Sequence, residues 1–186
     1  LKLGDVVAAS AAHTDSAMTA ARIPGVNFSH APSFPLLRKA VEFGERESKQ
    51  LYVGPVFTTD AFYQPDPQLA IKLAAHGTVA VEMEAAALYA VAAAEGVEAL
   101  MLGTVSDRVL KTEEMSAEDR EKTFQTMVEF ALASLVNLGW TWPNIAFALA
   151  AAATSSRRRW SCRTAPGARA RAGTGFSGAL TRETKV

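Results

Sequence analysis

Residues 78–89, Thr-Val-Ala-Val-Glu-Met-Glu-Ala-Ala-Ala-Leu-Tyr, constrain the fold of this chain more than any other stretch. The β-branched start predicts a buried strand over residues 78–83, and the alanine-rich continuation predicts a helix over 84–95 closed by Gly96. A strand that passes straight into a helix is a unit of layered α/β architecture. The carboxyl end of such a strand is where open α/β sheets bind ligands. A glutamate there is costly to desolvate unless something polar meets it. Glu82, Met83 and Glu84 are therefore candidates to hold a small polar molecule. A second reading stands beside that one: both glutamates cap the following helix and favour its positive end.

The neighbouring segments repeat the alternation. Residues 5–10 read as a buried strand, followed by a polar turn at 13–16 and an irregular, proline-containing connection over 22–35. Helical spacing of Phe34, Leu37, Ala40 and Val41 predicts a helix over 34–49. A strand follows over 51–57, then a turn at 64–67 and a helix from Pro67 to about His76, with Gly77 placed to end it. Residues 99–105 read as a strand stopping at Ser106-Asp107. Ser116, with Asp119 three residues on, then starts a helix. Its expected apolar stripe is Phe124, Met127, Val128, Ala131, Leu132, Leu135 and Leu138, and Gly139 stops it. Strands alternating with helices predict a layered α/β domain over residues 1–139. Residues 140–186 lose the pattern, become rich in Arg and Ala, and are expected to be a disordered tail.

Composition narrows the function classes. The 186 residues carry a formal net charge of zero, but eight basic residues after position 144 face Glu183 alone. The preceding body is acidic and the tail basic. The run Arg157-Arg158-Arg159 lacks aromatic interleaving beyond Trp160, so a solvated tail is expected rather than a nucleic-acid site. A single cysteine, Cys162, excludes an internal disulfide or a cysteine-rich metal site. The longest apolar run, 145–153, is shorter than the roughly 20 residues a membrane span requires. The opening residues lack a secretory pattern. Together these predict a cytoplasmic protein without nucleic-acid or membrane partners. His13, His30 and His76 have no metal-ligand spacing, so no metal is expected. Phosphate-loop, nucleophile-elbow and dinucleotide motifs are also missing from the sequence.

Asp107 collects a second group of candidates. A carboxyl directly after an apolar strand can be partly desolvated and can give a proton, or it can simply begin a turn with Ser106. Arg120, in the first turn of the last helix, has Glu113, Glu114 and Glu118 as alternative partners. Phe62 and Tyr63 could stack on a base or belong to the core.

These segments, in this order, resemble the bacterial-type (hexameric) purine nucleoside phosphorylases of the nucleoside phosphorylase superfamily. The resemblance runs through His13-Thr14-Asp15-Ser16, then Phe57-Thr58-Thr59-Asp60-Ala61-Phe62-Tyr63 with Pro65-Asp66. It continues through Val81-Glu82-Met83-Glu84-Ala85-Ala86, Thr104-Val105-Ser106-Asp107, and Arg120 followed by Thr123-Phe124. It implies a three-layer fold with a central mixed sheet flanked by helices. It also implies phosphorolysis of a purine nucleoside to free base and ribose 1-phosphate, with inorganic phosphate as co-substrate and no cofactor. Carried onto this chain, Glu84 holds the ribose hydroxyls, Met83 packs beneath the sugar with Glu82 beside it, and Phe62 stacks on the base. Asp107 protonates N7 of the purine, Arg120 poises Asp107, and Ser106 lines the base site. A homo-oligomer, a hexamer, is implied as well.

Two departures accompany the resemblance. Arg108 stands where the family usually has His. The family's phosphate-binding residues map ahead of Leu1, so the fold is expected to be incomplete at its N-terminus. Exposed sheet edges, aggregation and no phosphorolysis by this chain alone are then expected. Nucleosidases acting on methylthioadenosine-type substrates share the two acidic motifs and form the alternative reading, as does an inactive phosphorylase portion.

Overall fold

The computed structural model describes residues 1–111 and 113–135. Leu138, the expected stop at Gly139 and the expected tail over 140–186 lie outside the described residues. Four strands form a mixed sheet: β1 (Val6–Thr14), β2 (Leu51–Thr58), β3 (Ala80–Glu82) and β4 (Leu102–Thr104). Their order across the sheet is β3-β2-β1-β4. The first three run parallel, while β4 runs antiparallel to β1. Among the described residues, five helices accompany them: α1 (Met18–Arg22), α2 (Phe34–Arg46), α3 (Leu69–Ala75), α4 (Ala85–Glu95) and α5 (Ala117–Leu135). A two-stranded ribbon pairs β5 (Asp107–Arg108) with β6 (Glu113–Glu114).

The layers follow from the two-residue period of β1. Val6 and Ala8 face one side, where they meet Leu36 and Ala40 of α2 and Met127, Phe130 and Ala131 of α5. Val7 and Ala9 face the other, joined by Ala12 after the register shift between Ala9 and Ala11, against Ala85, Ala86, Tyr89 and Ala92 of α4. Helix, sheet and helix therefore make the expected three-layer fold. The small side chains of α4 let its axis lie close to the sheet. Gly96 ends it in the left-handed conformation, its N–H returning to the carbonyl of Ala92. Gly54 serves a different need: a Cβ there would stand 2.6 Å from Val79 Cγ1, so only glycine lets the approach to β3 pass this close.

Several local expectations change. β1 continues past Ser10 through His13 and Thr14, because these residues pair with Phe57 and Thr58 on β2. Ladder hydrogen bonds override the turn-forming preference of the polar residues. The connection after it contains α1, and His30 bridges back to Ala12. In α2 the buried face is Leu36, Ala40 and Gly44, while Phe34 is exposed. The helix starts at Phe34 as expected, with Pro35 in its first turn, but Phe34 lies outside the buried face and the helix ends at Arg46. In α5, Met127, Phe130, Ala131 and Ser134 are buried, whereas Val128 and Leu132 of the expected stripe are exposed. Phe130 takes the inner place by packing edge-on against Phe43, with ring centroids 5.1 Å apart.

Candidate active site

Two groups of candidate residues emerge, at opposite ends of β1. Thr14 stands beside Thr58, and Thr58 beside Glu82, so the carboxyl ends of the three parallel strands are level. β4 runs the other way and sets Thr104 beside Val6, so Ser106 and Asp107 emerge at the starting end of β1.

At the first end, Glu82 is buried although it carries a carboxyl group. Its Oε1 accepts from the Thr58 hydroxyl. Its Oε2 accepts from the backbone N–H groups of Glu84 at 2.8 Å and Ala85 at 2.6 Å. Those amides open α4 and would otherwise lack an intrahelical partner. Glu82 thus caps α4 from three residues upstream, as one of the two sequence readings allowed. Burial pushes its pKa up, Thr58 and the two amides pull it back, and the net direction is upward. Glu84 does not share the burial. The backbone rotates at Glu84 (φ −130°, ψ −28°), and both Met83 and Glu84 face outward. Among the described residues, the Glu84 carboxylate accepts only a long 3.3 Å bond from the Met83 N–H. Of the three candidates, Glu82 is spent on structure, while Met83 and Glu84 are presented.

Met83 also lines a small cavity with Thr14, Ser16, Thr58, Asp60 and Ala86. Phe62, Asp107 and Arg120 do not line that cavity. Phe62 lies on the loop after β2, is more than half exposed, and meets Tyr63 edge-on at 5.0 Å between centroids. It is therefore outside the core.

At the second end, Arg120 Nη2 donates to Asp107 Oδ1 at 3.1 Å. Ser106 Oγ donates to Asp107 Oδ2 at 2.5 Å. Both carboxylate oxygens are thereby oriented by named donors. Arg120 reaches Asp107 because α5 begins immediately after the β5/β6 ribbon. Ser116 caps that helix, accepting from the Asp119 N–H at 3.1 Å and donating to the Asp119 carboxylate at 2.7 Å. The ribbon is closed by an ion pair between Arg108 and Glu113 at 2.7 Å, and the Met115 N–H donates to the Ser106 carbonyl at 2.9 Å. Glu113 therefore pairs with Arg108 across the ribbon, while Arg120 pairs with Asp107. The sequence offered no signal for the ribbon, whose two strands are two residues each.

Thr58 and Thr59 were named in the sequence motif without a role. Their hydroxyls turn out to be the polar centre of the first end, and a Thr pair at a strand terminus was the available signal. Among the described residues, no group of His, Cys, Asp and Glu could hold a metal ion. None of the described helices is long and apolar enough to cross a membrane.

Comparison with known proteins agrees with this architecture. Residues 1–138 match the family model described as the phosphorylase superfamily, and the chain belongs to that family. A DeoD-type purine nucleoside phosphorylase of Myxococcus xanthus is 45% identical over 132 residues, covering 71% of this chain and 55% of the relative. The DeoD-type enzyme of Clostridium perfringens is 42% identical over 138 residues, covering 74% and 59%. The chain thus spans somewhat over half the length of these curated relatives. A purine nucleoside phosphorylase of Toxoplasma gondii, solved in complex with immucillin-H, shares the fold. It superposes with a TM-score of 0.61 at 18% identity, covering 72% of this chain and 56% of that one.

Proposed function

We propose that this chain supplies the nucleoside-binding side of a purine nucleoside phosphorylase. The observation that carries the reading is the Asp107 carboxylate held on one oxygen by Arg120 and on the other by Ser106. That arrangement sets an acidic group in one orientation, as proton transfer to a leaving base requires. In the proposed reaction the bond between ribose C1′ and the purine breaks as phosphate attacks C1′. Electrons flow into the base, Asp107 in its protonated form gives that proton to N7 and is left as the carboxylate that Arg120 and Ser106 hold, and the base leaves neutral. Glu84, Met83 and Phe62, which the resemblance assigns to the ribose hydroxyls, the sugar face and the base, lie at the other end of β1 from Asp107. Nucleoside binding by this chain is therefore proposed at the Glu84 end. The proton step is proposed for the whole enzyme, where both groups would have to meet one nucleoside. No cofactor enters this scheme, and phosphate is the second substrate. The whole enzyme is proposed to be a cytoplasmic homo-hexamer in purine salvage, as the resemblance of the sequence motifs implies.

Titrating the purified 186-residue chain with inosine and adenosine, with and without phosphate, tests the reading. Nucleoside binding is expected, weakened about tenfold by Glu84→Gln because one hydrogen-bonded charge is lost. No phosphate-dependent release of base is expected from the chain alone. A chain that binds neither nucleoside sinks the proposal. Phosphate-dependent turnover would show that the chain carries both sides of the reaction. Release of base without phosphate would favour the nucleosidase alternative.

A further inference from the structure

The last residue of β2 and the one after it are both threonines, both buried to within a few per cent, and both hydroxyls donate and accept hydrogen bonds. Thr58 Oγ1 donates to Glu82 Oε1 and accepts from the Ala86 N–H at 3.0 Å. Thr59 Oγ1 donates to Asp15 Oδ2 at 2.9 Å. It accepts from the Ala61 N–H at 3.1 Å and the Gln64 side-chain amide at 2.6 Å. A hydroxyl has one proton and two lone pairs, and Thr59 uses all three. Gln64 also donates to the Ala61 carbonyl at 2.9 Å, closing a ring around the loop that bears Phe62. The main chain joins the two sides, since the Thr59 N–H donates to the Glu82 carbonyl at 3.0 Å.

We infer that Thr58 and Thr59 are positioning residues that divide the nucleoside between them. Thr58, through Glu82 and the opening amides of α4, fixes the turn presenting Met83 and Glu84 to the ribose. Thr59, through Asp15 and Gln64, fixes the loop presenting Phe62 to the base. Neither threonine touches the ligand. The inference rests on the proposed nucleoside reading and extends it to two residues whose loss should separate sugar from base recognition. The physical basis is that a buried donor or acceptor stripped of its partner costs the full desolvation of that group. The unpaired segment escapes the cost by moving toward water.

The division can be tested by replacing each threonine with valine, which keeps the shape and removes the hydroxyl, and with serine, which keeps the hydroxyl. Binding of inosine and of free hypoxanthine to the 186-residue chain is measured beside amide hydrogen exchange. Thr58→Val should weaken inosine about tenfold and hypoxanthine less than about twofold. Its exchange should accelerate at Glu84, Ala85 and Ala86 and stay unchanged at Val7 and Ala8. Thr59→Val should weaken both ligands about equally and accelerate exchange at Ala61. Both serine variants should restore binding to within about twofold of the parent.

Equal effects of the two valine variants on both ligands, or serine variants no better than valine, would overturn the division. Exchange that rises uniformly through β1 would reduce the pair to general fold support and overturn it equally. Should the parent chain bind no nucleoside while the two exchange patterns hold, the phosphorylase reading falls. The positioning of the two segments would then stand on the exchange data.

Discussion

The two ends of β1 hold their carboxyl groups by different means. At the Glu82 end the carboxylate is buried and its partners among the described residues are one hydroxyl and two main-chain amides. At the Asp107 end the partners are side chains, one of them an arginine on another helix, and about a third of the Asp107 side chain stays exposed. Backbone donors cannot leave without unwinding α4, whereas a guanidinium can swing away by changing rotamers. The first arrangement suits a group that must not move. The second suits a group whose surroundings must change as a proton passes.

The largest expected effect lies at the rigid end. Glu82→Ala removes the cap of α4 and strands a buried hydroxyl and two amides. It should cost about 2–4 kcal/mol in urea unfolding, against about 1 kcal/mol or less for Arg120→Ala. Equal costs for the two variants would break the comparison.

A pH series sharpens it. Because the folded state raises the Glu82 pKa above its ordinary value of 4.5, the folded chain holds that proton more tightly than the unfolded one. The contribution of this group is fully present below the unfolded value and is lost as pH climbs through the folded one. Subtracting the stability profile of Glu82→Gln from that of the parent should show a decline beginning near that value. A flat difference would mean that the hydrogen bonds to Glu82 fully offset its burial.

The smallest effect belongs to the ribbon. The ion pair between Arg108 and Glu113 is partly exposed. Arg108→Ala should therefore shift stability by only about 0.2–1 kcal/mol, with added salt shrinking the difference. A larger, salt-independent loss would show that the ribbon, rather than Arg120, holds Asp107 in place.

Much of this was legible in the sequence. β2, α4 and the start of α5 could be placed because each has a local marker: an apolar stretch ending in Thr58-Thr59, an alanine-rich stretch closed by Gly96, and Ser116 three residues before Asp119. The contact between Asp107 and Arg120 came from resemblance, since local sequence alone gave Arg120 three nearer glutamates as partners. What stayed hidden depended on contacts between distant segments. His13 and Thr14 look like a turn until Phe57 and Thr58 pair with them. Leu36 replaces Phe34 on the inner face of α2, and Phe130 fills space that the even spacing of Val128 and Leu132 seemed to claim. The role of Glu82 was open for the same reason: a cap and a ligand need the same residue type at the same place. Only the donors around it separate them.

Tyr89 of α4 carries one further consequence. Its hydroxyl donates to the Ala9 carbonyl at 2.8 Å and accepts from the Met101 N–H at 3.1 Å. Ala9 lies where the pairing of β1 with β2 slips register, and Met101 immediately precedes β4. A single phenol oxygen is thus common to the helix that Glu82 begins and the strand that leads to Asp107. The span between the two ends of the sheet is gauged by that atom, and neither end can drift along β1 without pulling on the other.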